Sequence, residues 1–365
     1  MGLLDKRVLL VSTWFPSERD ITEGSFVLAD AKNLQKHGVN LLVVHLNKHG
    51  LNQTETYEGI KVVRIPLATS KPHSIVKAAV RVLPYIKRSD LLHTHAISSL
   101  LPLVLLPFNK PWVHTEHWSG LTTSAHRLPA WKRFILPQVL KVEKRPDVSV
   151  AVVEFLARPL RKIRGGKDTR VIPVVVPSPD QIVPRPNGKL TELVSIGGLV
   201  PGKDPIMAVE TLALLVEQGE NFHLTWVGDG PLREEVETKI SATGAPVTLA
   251  GRVKPQEVPG YIENADMFFG PTRGDNFFTS AAESIVRGRP VVAGANGGHS
   301  EYLDPKVSEL VSEGSPENFA SAIKNVHEKT KKMTEAEIAA TVGNRFSADT
   351  VATQYMDLYR SLLTH

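Results

Sequence analysis

The nonapeptide WVHTEHWSG, residues 112–120, sets His114, Glu116 and His117 within four positions, and LLHTHAISS upstream carries a second pair, His93 and His95. Imidazole can ligate a metal, move a proton near neutral pH or simply hydrogen-bond, so three readings stand: a metal site, histidines satisfied at strand ends, and a pocket histidine that positions a ligand. Zinc needs three or four convergent ligands, and neither cysteine nor the helical H-E-x-x-H spacing is present, so no metal is expected.

Three glycine turns could serve an anion. In TEGSFV, Gly24 and Ser25 stand at a helix start, where free N–H groups and the helix dipole suit a phosphate. GGLVPGKD and VGDGPLRE are two more, and Lys203 in the first could meet a phosphate as a point charge. Each is also compatible with an ordinary strand-to-helix turn. In PTRGDNFFTSAAESIVRGRPVVAGANGGHSE, Asp275 and Glu283 are separated by seven residues. Ser280 to Glu283 has the form of a capping box, which predicts that Glu283 bonds the N-cap backbone, and Asp275-Asn276 is a turn pair.

Those residues need elements to hold them. RVLLVST, GSFVLADAKNLQKHG and VNLLVVHL alternate apolar runs with an amphipathic stretch, the pattern of β–α units around a parallel sheet. Val27, Ala31 and Leu34 recur at helical spacing, with Gly38 where a C-cap glycine would stand. PVVVPSPDQIVPRP, residues 173–186, carries five prolines and reads as a linker. The strand–helix pattern then restarts from LTELVSIG, and SADTVATQYMDLYRSLL closes the chain as a helix with Val351, Tyr355, Leu358 and Leu362 on one face. Ligands of such folds sit at the carboxyl ends of the strands, where both histidine pairs fall.

At 365 residues the chain predicts two domains, with 42% hydrophobic and 22% charged residues in the ordinary globular range. The absence of cysteine excludes disulfides, thiolate metal sites and cysteine nucleophiles, and fits a cytoplasmic location. The first apolar run is too short for a signal peptide or a membrane span. The net charge of +5 conceals an asymmetry: residues 1–180 hold 26 basic against 14 acidic residues, and 181–365 hold 17 against 24. A basic first half predicts an anionic partner, a lipid headgroup surface or a phosphorylated acceptor, and no nucleic-acid module accompanies the charge. Lys77, Arg81, Lys87 and Arg88 lie in one stretch, and AWKRFILPQVLKVEKR mixes bases with Trp131 and Phe134 like an interfacial helix, predicting peripheral attachment at the inner face of a membrane.

Taken together, FPSERDITEGSFVLADAKNLQKHGVNLLVV, VSIGGLVPGKDPIMAVETLALL, LTWVGDGPLREEVE, VTLAGRVKPQEVPGYIENADMFFGPT and the segment Asp275–Glu301 resemble, in order and spacing, the retaining GT-B glycosyltransferases of family four. The resemblance implies two Rossmann-like domains facing a central cleft: an acceptor-binding domain over 1–180, a donor domain over 188–345, and a helix over 346–365 closing back toward the first domain. It implies a metal-independent hexosyltransferase that uses a nucleotide diphosphate sugar without a further cofactor, with an acceptor such as a lipid-linked or anionic glycan precursor. The alternatives are a GT-B epimerase or phosphorylase, or a non-catalytic nucleotide-sugar-binding partner of another transferase. By the same resemblance His117 lies beside the reacting sugar, Lys203 neutralises the diphosphate and Asp275 approaches the sugar hydroxyls. Glu283 takes the ribose, Phe278 and Thr279 offer backbone N–H groups, Val253 meets the base, and Gly24 with Ser25 brings the N-terminal loop to the diphosphate. Gly198 stands where the family has arginine, and Arg273 is expected to supply that missing cation.

Overall fold

The computed structural model describes residues 5–21, 23–123, 128–186 and 188–364. The chain forms two compact units, Met1–Val175 joined by Phe346–His365, and Val176–Arg345.

The first unit runs β1 (Arg7–Ser12), α1 (Ser25–Lys36), β2 (Asn40–Asn47), β3 (Thr54–Tyr57), β4 (Ile60–Pro66), α2 (Pro72–Lys87), β5 (Leu91–His95), α3 (Ile97–Leu103), β6 (Trp112–Glu116), α4 (Ala130–Val139), β7 (Val148–Ala151), α5 (Glu154–Arg164) and β8 (Thr169–Val171). Its strands lie in the order β3-β4-β2-β1-β5-β6-β7-β8, parallel except for the β3–β4 hairpin. Glu58 and Gly59 both take positive φ in that hairpin, as its two-residue turn requires. Because side chains alternate along a strand, Val8 and Leu10 enter one core layer while Leu9 and Val11 enter the other, which is why β1 reads as a continuous apolar run.

The second unit runs β9 (Thr191–Ile196), α6 (Pro205–Glu217), β10 (Phe222–Val227), α7 (Arg233–Thr243), β11 (Val247–Gly251), α8 (Val258–Glu263), β12 (Met267–Gly270), α9 (Thr279–Val286), β13 (Val291–Gly294), β14 (Ser308–Val311), α10 (Pro316–Thr330) and α11 (Glu335–Ala340). Its all-parallel sheet has the order β11-β10-β9-β12-β13-β14. The order reverses between β9 and β12 in this sheet and between β1 and β5 in the first, and loops diverging at such a switch point leave a crevice.

The final helix α12 (Ala348–Leu363) belongs to the first unit, where Tyr355, Leu358 and Tyr359 join the layer of Val8 and Leu10. The boundary between the units falls within the proline-rich stretch 173–186 expected as a linker, and its residues 176–186 are tied to the second unit. Buried Arg289 donates to the carbonyls of Val183 and Pro184, and Arg185 pairs with Glu335 at 3.0 Å. No helix among the described residues is long and apolar enough to cross a membrane.

Candidate active site

In the second unit, the loops after β9 and β12 carry Lys203 and Asp275, and the switch point brings them together. Lys203 Nζ donates to Asp275 Oδ2 at 2.7 Å and lies 4.2 Å from the centre of the Phe278 ring. Asp275 Oδ1 accepts the Phe278 N–H at 2.9 Å, so one carboxylate joins the cation to the start of α9. Burial opposes the charge of Asp275, but Lys203 and that N–H hold its pKa below the ordinary carboxylate value. Phe278 is the N-cap of α9 at φ 58°, a left-handed conformation costly for a bulky side chain. Tyr302 over-determines it, its hydroxyl donating to the carbonyls of Phe277 and Phe278 at 2.8 and 3.0 Å. Nothing in the local sequence around Phe278 indicates Tyr302, which arrives from beyond β13.

The capping box expected at Ser280–Glu283 does not form. The N-cap of α9 is Phe278, two residues earlier than Ser280, and the Ser280 hydroxyl turns away to the carbonyl of Ile196 on β9. Glu283 is thereby released from the cap. Its carboxylate accepts no hydrogen bond among the described residues, and burial raises it to about 7, against a modest opposing pull from Arg287. Glu283 is thus a half-buried acid whose carboxylate oxygens have no donor among the described residues.

Arg273 is placed otherwise than expected. Its guanidinium forks onto Asp204, Nε to Oδ2 at 2.6 Å and Nη2 to Oδ1 at 3.1 Å, while its N–H donates to the Gly202 carbonyl. The charge expected to replace an arginine at 198 is therefore neutralised in place, and the pair ties the Lys203 loop to the Asp275 loop. The backbone does not impose Gly198, where an added Cβ would come no closer than 3.4 Å to any atom. Val253 lies in the loop following edge strand β11, and Thr279 is exposed at the helix start.

In the first unit, Gly24 at φ 67° is the N-cap of α1, and a Cβ there would lie 2.3 Å from the Trp14 carbonyl carbon. Only glycine permits that approach, which seats Ser25 and the first turn of α1 against the β1 loop. Phe26 in that turn lies 4.5 Å, ring centre to ring centre, from His117.

The histidines divide into two assemblies. His117 Nε2 and His95 Nδ1 are 3.2 Å apart with their rings stacked, and Asp30 of α1 lies close by. Burial and the charge of His114 lower His117 to about 4, against the pull of Glu116, so at neutral pH it is an uncharged imidazole suited to orienting a hydroxyl. His114 is fully buried, with Nε2 3.3 Å from Glu116 and 3.2 Å from Glu143 and Nδ1 2.9 Å from the Thr94 hydroxyl. Burial disfavours its charge, yet the two acids raise it to about 9. Glu116, held below its ordinary value, accepts the N–H groups of His117 and Trp118, both at 2.7 Å. The buried ion group therefore holds the backbone on which His117 stands. Asp30-His95-His117 and His114-Glu116-Glu143 each bring three donor atoms within 4.8 Å, close enough to surround an ion. In the first group Asp30 Oδ1 and His95 Nε2 are buried without a hydrogen-bond partner among the described residues, whereas in the second His114 is ion-paired to both acids.

Two Rossmann-like units, with a lysine–carboxylate pair at one switch point and a histidine pair at the strand ends of the other sheet, define a GT-B protein. The chain belongs to glycosyltransferase family 4: residues 24–177 match the model of that family, and residues 191–329 match the model of group 1 glycosyl transferases. It is 30% identical over 135 residues to a GDP-mannose-dependent alpha-(1-6)-phosphatidylinositol dimannoside mannosyltransferase of Mycobacterium tuberculosis. That match spans 37% of this chain and 35% of the relative. It is 24% identical over 347 residues to the D-inositol 3-phosphate glycosyltransferase of Corynebacterium urealyticum, covering 84% and 79% of the two chains. Among solved structures, Anabaena HepE in complex with UDP-glucose superimposes with a TM-score of 0.76 at 17% identity, over 98% of this chain and all of that one.

Proposed function

We propose that the protein transfers a hexose from a nucleotide diphosphate sugar to an acceptor hydroxyl with retention and without a metal ion. The observation that carries this reading is the β9–β12 switch point: Lys203 beside Asp275, and Glu283 half-buried without a donor among the described residues. As the bond from the anomeric carbon to the diphosphate breaks, its electron pair goes to the departing phosphate oxygen. Lys203 and the backbone N–H groups at Phe278 and Thr279 stabilise that charge, the work a metal does elsewhere. Glu283 accepts the ribose hydroxyls, Asp275 a hydroxyl of the transferred sugar, and Val253 borders the base. Neutral His117 orients the sugar from the acceptor domain, and Gly24 with Ser25 approaches the diphosphate. Arg273, held by Asp204, acts through the loop that carries Lys203.

Glu283→Gln tests the donor half. Ribose hydroxyls bond the ionised carboxylate more strongly, so wild-type affinity for nucleoside diphosphate should fall as pH drops through about 7. The variant should bind roughly tenfold more weakly at pH 8 and lose that dependence. A raised folded pKa means that ionised Glu283 destabilises the free protein above its unfolded value, so the variant should melt no lower than wild type at neutral pH. Calorimetric titration across pH 6–8, with melting curves, reads both; reduced stability with unchanged binding would return Glu283 to a purely structural role.

The acceptor is lipid-linked in this reading, as the name of the mycobacterial relative indicates for that enzyme. Helix α4 supports it: none of its residues is buried, Trp131 and Phe134 are 63% and 86% exposed, and Lys132 and Arg133 lie among them. On α2, exposed Val76 and Val80 alternate with Lys77 and Arg81. The protein should sediment with vesicles containing anionic lipid and be released by salt, less so from neutral vesicles. Equal partition between the two would remove the membrane from the proposal.

A further inference from the structure

A second crevice lies in the first unit, at the switch point between β1 and β5. It is a cavity of about 390 Å³, at the carboxyl ends of β1, β2, β4 and β5, and its lining includes Thr13, Trp14, Glu23, Lys48, Thr69 and Ser98. That volume suits one small ligand. Trp14 connects it to the histidines, lying edge-on 5.9 Å from Phe26, which in turn lies 4.5 Å from His117.

The lining specifies the ligand's chemistry. Lys48 is its one cation among the described residues, and it donates to Glu23 Oε1 at 2.7 Å; His49 Nε2 is 3.2 Å from Oε2 of the same carboxylate. Within the lining, the charges of Lys48 and Glu23 offset each other. The N-terminus of α2 nearby offers an anion little: Pro72 has no N–H, and those of Ser74 and Ile75 return to the Lys71 carbonyl. Besides the apolar Leu46, Leu67 and Ala68, what remains is an indole and the hydroxyls of Thr13, Thr69, Ser70 and Ser98, of which Thr13 and Ser98 hydrogen-bond each other. Hydroxyls that both donate and accept, beside an aromatic ring, match the alternating C–H and O–H surface of a sugar ring.

We propose that this cavity receives the accepting end of the acceptor, and that this end is an uncharged sugar or cyclitol rather than a phosphorylated or carboxylated one. The proposal rests on the transferase reading and sharpens it: an anionic anchor and a neutral terminus belong to opposite ends of one lipid-linked molecule.

The probes are methyl hexosides and myo-inositol against glucose 6-phosphate, glucuronate and inositol 3-phosphate. Binding is measured by saturation-transfer NMR without donor, and transfer with a panel of nucleotide sugars. The neutral probes should bind and accept, with the charged ones weaker on the order of tenfold. Glu23→Gln frees Lys48 and His49 and should move that ratio about tenfold toward the charged probes. Thr69→Trp, made at an exposed position that tolerates a large side chain, should fill the cavity and abolish binding of the neutral ones. A wild-type preference for charged probes, an unchanged ratio in Glu23→Gln, or undiminished binding by Thr69→Trp would each overturn the proposal. Neutral probes that bind while no nucleotide sugar is turned over would uphold the cavity and overturn the transferase reading instead.

Discussion

Lys203→Ala is expected to reduce kcat/KM for nucleotide-sugar turnover by about 2–4 kcal/mol, between roughly thirtyfold and a thousandfold, the range for losing a preorganised charge partner of the transition state. The loss has two parts. The departing diphosphate loses its cation, and Asp275 loses the partner that keeps it ionised and turned toward the start of α9. Lys203→Arg should recover only part, because a planar fork cannot stand as a compact ammonium does between Asp275 and the face of Phe278. Stability should respond far less. The two side chains are 23% and 28% exposed, and a solvent-accessible pair of this kind is worth about 1 kcal/mol or less. Steady-state release of nucleoside diphosphate, read beside the melting temperature, separates the effects. Turnover within about twofold of wild type would leave the backbone N–H groups as the whole anion site.

The second large effect concerns folding. His114→Ala should destabilise the protein by about 3–5 kcal/mol, because it leaves Glu116 and Glu143 buried against each other without their cation. The sign of the pH dependence follows from the raised imidazole. With a folded pKa of about 9 against an unfolded value near 6.5, its contribution is complete below pH 6.5 and is lost as pH rises through 9. Wild type should therefore lose stability over that alkaline interval, while the variant lacks this component. His114→Ala combined with Glu143→Gln should regain part of the loss, since one of the two acids is then uncharged. Denaturant titrations at pH 6, 8 and 9.5 measure all of this. A small loss with unchanged pH dependence would show that the ion group does not carry His114 as a cation. Because Glu116 holds the N–H groups of His117 and Trp118, surviving folded protein should also show a lower kcat.

Much of this architecture is written in local pattern. The apolar period of α1, the apolar runs of β1, β2, β9 and β10, and the loop positions of Gly24, Lys203 and Asp275 follow from side-chain spacing and turn chemistry, since these depend on neighbours a few residues away. The ordered motifs of the second half, with the glycine loop at 24, sufficed to recognise the family. Helix α3 and the short edge strands β3 and β8 were not legible, because such brief elements carry too few residues for a period to appear.

Pairings between residues far apart in the chain are fixed by the folded arrangement alone. Glu143 joins His114 across 29 positions, Asp204 takes the fork of Arg273 across 69, and Tyr302 pins Phe278 from beyond β13. The local signal for Glu283 pointed to a capping box. The start of α9 is set instead by Asp275 and Tyr302, which hold Phe278 left-handed, and Ser280 is drawn to β9. A sequence reports the chemistry that each side chain can perform. Whether a charge is free or already neutralised depends on which loops a parallel sheet brings to one switch point, and that is set by strand order rather than by spacing.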